Sequence, residues 1–108
     1  MTLYLATTTC PTAEVAQSLA TAAVTQGLAA CAQVGQPITS TYRWQGKLCT
    51  EVEIPLLFKV MEPQLASLQA FVIAHHPYEV PQWVVWPAST AHCLPAYLAW
   101  CQQSTPSL

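Results

Sequence analysis

The chain has 108 residues, carries a formal net charge of −2, and has charged side chains at only 7% of its positions. A typical chain is about 25% charged. The slightly acidic balance excludes the basic surface that nucleic-acid binding requires, so we expect no nucleic-acid partner.

So low a charge content predicts that much of the surface is covered, either by lipid or by other copies of the chain. The two long uncharged stretches, residues 15–42 and 80–108, are interrupted by Gln, Ser, Thr and Pro. Neither offers the ~20 predominantly apolar residues that cross a bilayer. We therefore expect association between copies rather than a membrane span. A monomer with a surface rich in Gln, Ser and Thr is the alternative.

The cysteine pattern and the N-terminus bear on the compartment. The five cysteines form no Cys-x-x-Cys pair, and the first residues lack a charged lead-in and a cleavable apolar block. These features are typical of a cytoplasmic protein with reduced thiols and no signal peptide. The cysteines are Cys10, Cys31, Cys49, Cys93 and Cys101.

The N-terminal part of the chain predicts a strand followed by a helix. Residues 2–8 are rich in β-forming side chains. Residues 11–26 then show helical spacing of apolar residues. Pro11 suits a first helical position, Glu14 suits the positive end of the helix dipole, and Gly27 is a typical stop.

A long β-hairpin is predicted for the middle of the chain. Strand 28–34 is interrupted at residues 35–37 by a bulge or bend, resumes over residues 38–44, and turns into a second arm over residues 48–61. At about 3.3 Å per residue this arm extends roughly 46 Å, whereas a compact domain of this length has a diameter of roughly 35 Å. We therefore expect the hairpin to overrun its own domain, with a bulge or a sheet edge at Pro55.

The turn that contains Gly46 leaves the hairpin register open. A two-residue loop places Tyr42 opposite Cys49, whereas a three-residue loop places Trp44 opposite Leu48. The choice decides which side chains share a face, because a shift of one residue moves every side chain to the other side of the sheet.

A second helix and a further strand follow the hairpin. Pro63 begins the helix, which ends near His75 and His76 because Pro77 cannot continue it. Residues 79–86 then predict a strand, and its apolar run predicts burial on both faces.

A short helix over residues 95–102 and a frayed tail over residues 104–108 complete the chain. The order β-α-β-β-α-β with a terminal helix, in a single domain over residues 1–108, is the ferredoxin-like arrangement. In this α+β fold two helices cover one face of an antiparallel sheet. The open face then needs cover, which further copies would supply.

Histidine, cysteine and glutamate side chains are the candidate metal ligands, but no pair has chelating spacing on one element. His75 and His76 are adjacent, so on a helix their side chains diverge by about 100°. A closed zinc site needs four nitrogen or sulfur ligands, and the sequence offers no four such ligands in a zinc-site arrangement. The residues alone favour a helix-end cap or packing role for His76. Thiolate and imidazole donors at a subunit interface would suit copper.

An enzyme is the weakest interpretation. No Gly-x-Ser-x-Gly elbow or phosphate-binding glycine loop occurs, and Cys31 lies in an Ala-rich run typical of core packing. No complete acid–base pair can be named. We therefore predict no catalytic activity and no organic cofactor. Charge concentrated on the hairpin, beside Tyr42 and Trp44, marks either a binding cleft or the hairpin's solvated part, and both interpretations stay open.

Five successive segments resemble signature segments of the CutA family, the divalent-cation tolerance proteins. They cover about residues 3–101, in the family's order and spacing. The segments are Gly27-Leu28-Ala29-Ala30-Cys31, Thr39-Ser40-Thr41-Tyr42-Arg43-Trp44-Gln45-Gly46-Lys47, Glu53 with Leu56-Leu57-Phe58-Lys59, His76-Pro77-Tyr78-Glu79-Val80-Pro81 and Tyr97-Leu98-Ala99-Trp100.

The resemblance implies a ferredoxin-like subunit, a homotrimer similar to the PII signalling proteins, and a cytoplasmic role in tolerance of copper and other divalent cations. It implies copper ligands at His76 and Cys31. It also implies clefts between subunits, lined by Tyr42, Trp44, Glu53, Lys59, Glu79 and Trp100.

The chain departs from the family pattern on the hairpin. Pro55 interrupts a strand that is usually aliphatic, and Gln45 stands where an acidic residue is common. Fewer carboxylates weaken a hard-cation site, while Cys49 adds a soft donor. We expect a protein that binds Cu(II) or another divalent cation. The alternative is a PII-like sensor or interaction scaffold whose cleft binds a small anion or a partner. The basic residues of that cleft would be Arg43, Lys47 and Lys59.

Overall fold

The computed structural model describes residues 1–105, and the protein has an α+β fold built on an antiparallel sheet. In chain order the elements are β1 (Leu3–Cys10), α1 (Ala13–Thr25), β2 (Cys31–Val34), β3 (Ile38–Trp44), β4 (Lys47–Met61), a 3₁₀ turn (Glu62–Gln64), α2 (Leu65–His75), β5 (Val84–Pro87) and α3 (Pro95–Ser104). The predicted element order and fold class are confirmed.

The sheet is assembled on β4. Its strand order is β2-β4-β1-β5 with antiparallel neighbours, and β3 pairs with the outer half of β4. β4 is 15 residues long, so its inner half carries β1 and β2 while its outer half forms an arm with β3. The molecule measures 45 × 27 × 22 Å along its principal axes. The expected overrun of the hairpin is therefore confirmed.

A bulge separates β2 from β3, as the sequence predicted. Residues 35–37 lie opposite Ile54 and Pro55 of β4, and the Gly35 N–H donates to the Pro55 carbonyl at 2.9 Å. Pro55 cannot donate to the sheet, but its carbonyl is still used. Glycine is required at position 35 because an added Cβ would lie 2.7 Å from Pro55 Cγ.

The hairpin turn selects the two-residue register. Gln45 and Gly46 have φ values of 49° and 78°, which is the backbone of a type I′ turn. Tyr42 therefore lies opposite Cys49. Because opposed residues share a face, Tyr42 and Trp44 lie on the same side of the hairpin as Cys49.

Helices α1 and α2 cover one face of the sheet. Helix α1 begins after Thr12, whose hydroxyl accepts the Val15 N–H at 3.2 Å, and Gly27 follows its end with a φ of 72°. Pro11 thus precedes the cap and is not the first helical residue, because threonine satisfies a free N–H that proline cannot. Alternate side chains of β4 are buried beneath the helices. They are Ile54, Leu56, Phe58 and Val60.

Helix α3 covers one end of the opposite face. Cys101 packs with Leu3 in a second buried cluster. The helix continues to Ser104, and Thr105 is buried with its hydroxyl donating to the Cys101 carbonyl at 3.0 Å. The predicted fraying is therefore wrong at these two positions, and residues 106–108 of the predicted tail lie outside the described residues.

The rest of this second face is uncovered, and we call it the open face. Strand β5 is shorter than predicted, and its burial on both faces is wrong within one protomer. Trp83 and Val85 pack against the core, whereas Val84 and Trp86 are 50% and 42% exposed. The strand register aligns apolar residues across the centre of the open face. They are Leu5, Leu57, Val84 and Trp86.

Gly35→Ala is expected to lower the free energy of unfolding by about 1–3 kcal/mol, because the new methyl group overpacks against the Pro55 ring. Urea unfolding at one fixed protein concentration measures the change. In a Pro55→Ala background the same substitution should cost less, since the clashing ring is gone. Equal costs in both backgrounds would show that the contact does not matter.

Candidate functional site

His76 ties the end of α2 to β1. Its ring is 8% exposed, Nε2 lies 2.9 Å from the Thr9 carbonyl oxygen, and Nδ1 accepts the Tyr78 N–H at 3.1 Å. Because a carbonyl oxygen can only accept, Nε2 carries the proton and Nδ1 carries the lone pair. Both ring nitrogens are engaged, so His76 would have to give up a hydrogen bond to coordinate a metal.

Tyr78 extends this chain of hydrogen bonds to the base of the hairpin arm. Its hydroxyl donates to Oε2 of Glu53 at 3.0 Å, and Glu53 is only 8% exposed. Burial and this hydrogen bond raise the pKa of Tyr78. Burial, with a smaller effect of the Glu53 carboxylate, raises the pKa of Cys10 to about 11. We call the connected groups Thr9, His76, Tyr78 and Glu53 the relay.

His75 has a different environment from its neighbour. It is exposed at the last residue of α2, with its ring packed 4.5 Å from that of Phe71 and its Nδ1 2.8 Å from the Phe71 carbonyl oxygen. That carbonyl fixes the proton on Nδ1 and leaves Nε2 as the nitrogen with a lone pair, as in metal-binding histidines. His75 lines a groove of about 500 Å³ between α1 and α2, and Glu14 lines the same groove.

A second set of predicted cleft residues lies beside α3. Lys59 Nζ lies 5.4 Å from the centroid of the Tyr97 ring, which is 5.6 Å from the ring of Trp100. Half-buried Cys31 is the register partner of Lys59. Glu53 is six residues away along β4, which corresponds to about 20 Å. One protomer therefore holds the two charged groups apart.

The remaining predicted cleft residues belong to the Glu53 side. Tyr42 and Trp44 are exposed on the hairpin arm, where a hydrogen bond to Glu51 raises the pKa of Tyr42. Glu79 is exposed and directly follows Tyr78. The predicted cleft is thus divided into an acidic, aromatic set at the hairpin and a basic set beside α3, and no single protomer assembles it.

The two copper ligands implied by the resemblance are also separated. Cys31 lies opposite Lys59 of β4. His76 instead donates a hydrogen bond to the Thr9 carbonyl, and Thr9 lies opposite Pro55, four residues before Lys59 on β4. Within residues 1–105, no three Cys, His, Asp or Glu side chains lie close enough to hold one metal ion together. Copper binding by Cys31 and His76 stays a prediction. Sequence reasoning missed the free nitrogen of His75, because adjacent histidines look equivalent until the helix end is placed.

Comparison with known proteins identifies the family. A family model described as CutA1 divalent ion tolerance protein matches residues 4–104. The chain belongs to this CutA1 family. The divalent-cation tolerance protein CutA of Thermus thermophilus is 38% identical over 97 residues, which cover 90% of this chain and 92% of that protein. Mouse Protein CutA is 37% identical over 100 residues, which cover 93% of this chain and 55% of the mouse protein. The chain therefore spans about half the length of its mammalian relatives.

Solved CutA1 structures share the fold. The CutA1 structure from Shewanella sp. SIB1 is 38% identical, with a TM-score of 0.92 over 97% of this chain and 96% of that one. The structure from Oryza sativa is 31% identical, with a TM-score of 0.93 over 100% of this chain and 97% of that one. The predicted CutA resemblance and ferredoxin-like fold are confirmed. Among the helices of residues 1–105, none combines the length and the hydropathy that a membrane crossing needs.

Tyr78→Phe removes only the hydroxyl that donates a hydrogen bond to Glu53. It is expected to lower the free energy of unfolding by about 1.5–3 kcal/mol at pH 7. Tyr4→Phe is the control, because Tyr4 pairs with Val60 at the far end of β4. Urea unfolding of the three proteins at one concentration measures the difference.

The Tyr78 contribution is also expected to depend on pH. The folded-state pKa is raised above the unfolded value of about 10. The unfolded chain therefore loses this proton first, and the stabilisation is complete below pH 10 and falls as the pH rises above it. The advantage of the native protein over Tyr78→Phe should shrink by up to about 1.4 kcal/mol per pH unit above pH 10. An advantage that is constant from pH 9 to 11 would contradict the assigned hydrogen bond.

Proposed function

We propose that the protein is a cytoplasmic, non-enzymatic homotrimer that binds copper and so contributes to tolerance of divalent cations. Membership of the CutA1 divalent ion tolerance family supports the role in metal tolerance. The low charge content and the uncovered apolar surface support association between copies. The trimer is an expectation that rests on the resemblance, whereas the compartment and the absence of catalysis are expectations drawn mainly from the cysteine pattern and the missing catalytic motifs.

The geometry of His75 is the single observation that carries copper binding. Its Nδ1–H is anchored on a backbone carbonyl, so the ring orientation is fixed and Nε2 can act as a ligand. Imidazole is a preferred ligand of copper and zinc, and Glu14 supplies a carboxylate on the same groove. Even if both side chains bind one ion, the remaining coordination positions are left to water, so we expect weak binding.

Cys31 and His76 remain the ligands that the resemblance implies, and they differ in how available their donor atoms are. Cys31 is half-buried beside the open face, so its sulfur would suit copper at a surface shared by two subunits. His76 would first have to release Thr9 or Tyr78. We therefore place the imidazole ligand at His75, with Cys31 as a separate candidate.

Cu(II) is expected to raise the melting temperature of the reduced protein, because a ligand that binds only the folded state stabilises it. His75→Ala and Glu14→Gln should reduce this shift in melting temperature. His92→Ala, which removes a histidine outside the groove, is the control and should keep the shift. Cys31→Ser tests the thiol separately. A parallel titration with Ni(II), which does not oxidise thiols, separates coordination from redox chemistry. An unchanged melting temperature at excess metal would contradict the metal function, and equal shifts in the native protein and His75→Ala would contradict this ligand.

A sensor or interaction scaffold is the second candidate, and one contact favours it. The Lys59 ammonium lies over the Tyr97 ring beside Trp100, so the aromatic side chains hold a cation that an anionic ligand can bind. A metabolite library screened by thermal shift should then give a reproducible hit that Lys59→Met abolishes and Lys47→Met retains. The absence of any hit would leave this reading without support.

A further inference from the structure

Three of the cysteines lie near one another at the end of the sheet that α3 covers. Cys31 and Cys93 are half-buried, Cys101 is fully buried, and all three are free thiols. Burial raises the pKa of Cys101, and the charges of Cys31 and Cys93 raise it further. Both half-buried thiols therefore lie within electrostatic reach of the buried one.

Two separate sets of contacts place Cys31 next to Cys101. Across the sheet, Cys31 lies opposite Lys59, and the Lys59 ammonium lies 5.4 Å from the centroid of the Tyr97 ring. Tyr97 and Cys101 are four residues apart on α3 and so share one face of that helix. In the core, Cys101 belongs to the same buried cluster as Ala30, the residue before Cys31. The fold thus brings the thiol of β2 to the thiol of α3.

The other cysteines are less well placed to join Cys101. A disulfide holds its two Cα atoms about 4.4–6.8 Å apart. Cys93 precedes Cys101 by eight residues, which corresponds to about 12 Å at the rise of a helix. Cys10 packs in the core beneath α1 and α2, and Cys49 lies on the hairpin arm. Cys31 is therefore the cysteine that Cys101 can reach.

The two thiols differ in exposure, and the difference assigns them different roles. Cys31 is half-buried on β2, which is an edge strand of the sheet, so a small oxidant can reach its sulfur. Cys101 is fully buried, and its raised pKa keeps it protonated and unreactive toward an oxidant in solution. Cys31 is thus the thiol that is attacked first, and Cys101 is the thiol that responds.

We propose that Cys31 and Cys101 form a peroxide-responsive dithiol that closes into a disulfide between β2 and α3. This inference goes beyond the proposed metal function and does not depend on it. Disulfides of cytoplasmic proteins are usually transient and redox-sensing, so the bond is expected to be reversible. When it is closed, α3 is tied covalently to the edge strand of the sheet.

The oxidation proceeds in two balanced steps. A hydroperoxide transfers one oxygen to the Cys31 sulfur, which becomes a sulfenic acid, and the rest of the oxidant leaves as an alcohol, or as water when it is hydrogen peroxide. The Cys101 sulfur then attacks the sulfenic sulfur. The S–S bond forms, the S–O bond breaks, and the oxygen leaves as water with the proton of Cys101. The two thiols together lose two electrons, which a dithiol reductant returns.

Peptide mapping of the reduced protein after brief treatment with hydrogen peroxide, without reductant in the digest, tests the pair. We expect one disulfide within the chain, joining Cys31 to Cys101, which dithiothreitol reverses. Cys93→Ser is the matched control, because it removes the other half-buried thiol of this group, and it should still form the bond. A disulfide that joins Cys93 to Cys31 or to Cys101 would overturn the proposal, and so would peroxide treatment that yields only disulfides between chains.

Two variants separate the roles of the thiols, with circular dichroism as the check that each folds. Cys101→Ala should let the Cys31 sulfenic acid accumulate, so that dimedone labels it at least about tenfold more than in the native protein. Equal labelling of the two proteins would contradict the role of Cys101. Cys31→Ser should protect Cys101 from peroxide, and this arm remains informative if Cys101→Ala does not fold. Oxidation of Cys101 at the native rate in Cys31→Ser would overturn the proposal.

Discussion

The two-residue period of β4 is the constraint on which the rest of the structure depends. Fifteen residues pair with β1, β2 and β3, so one alternation decides both faces of the sheet. Ile54, Leu56, Phe58 and Val60 form the core beneath the helices. The residues that alternate with them, Glu53, Pro55, Leu57 and Lys59, project to the other side of the sheet. A shift of one residue would turn Lys59 toward the core and expose the apolar side chains of the core face, which is why the Gly35–Pro55 bulge and the Gln45-Gly46 turn matter beyond their local stability.

The end of α2 gives two adjacent histidines different chemistry. Pro77 forbids another helical turn, so His75 remains helical while His76 adopts extended backbone angles of −76° and 137°. The change of direction turns His76 inward, where Thr9 and the Tyr78 N–H occupy its two nitrogens. His75 stays at the surface with one nitrogen bound to a carbonyl. The proposed metal ligand and the residue that positions Tyr78 next to Glu53 are thus neighbouring side chains.

Local patterns predicted most of the fold, and the errors share a physical cause. Helix ends, the bulge and the long arm depend on prolines, glycines and strand alternation, which act within a few residues. The register stayed open because the Gln45-Gly46 sequence is compatible with loops of two lengths. Trp83–Trp86 was expected to be buried on both faces, but one face of β5 is uncovered in the protomer. The Tyr78–Glu53 contact joins residues far apart in the chain, and no local pattern reveals it.

Zero-length cross-linking tests most directly whether the site is assembled between copies. A carbodiimide couples a carboxylate to an amine only when the two are in contact, and the chain offers two lysines and five glutamates. Peptide mapping of the covalent dimer should find Glu53 joined to Lys59. The same link should be absent from the treated protein that still runs as a monomer. A dimer in which Lys59 is unmodified, or in which Glu53 is joined to Lys47, would contradict an interface that pairs the acidic end of one subunit with the basic end of the next.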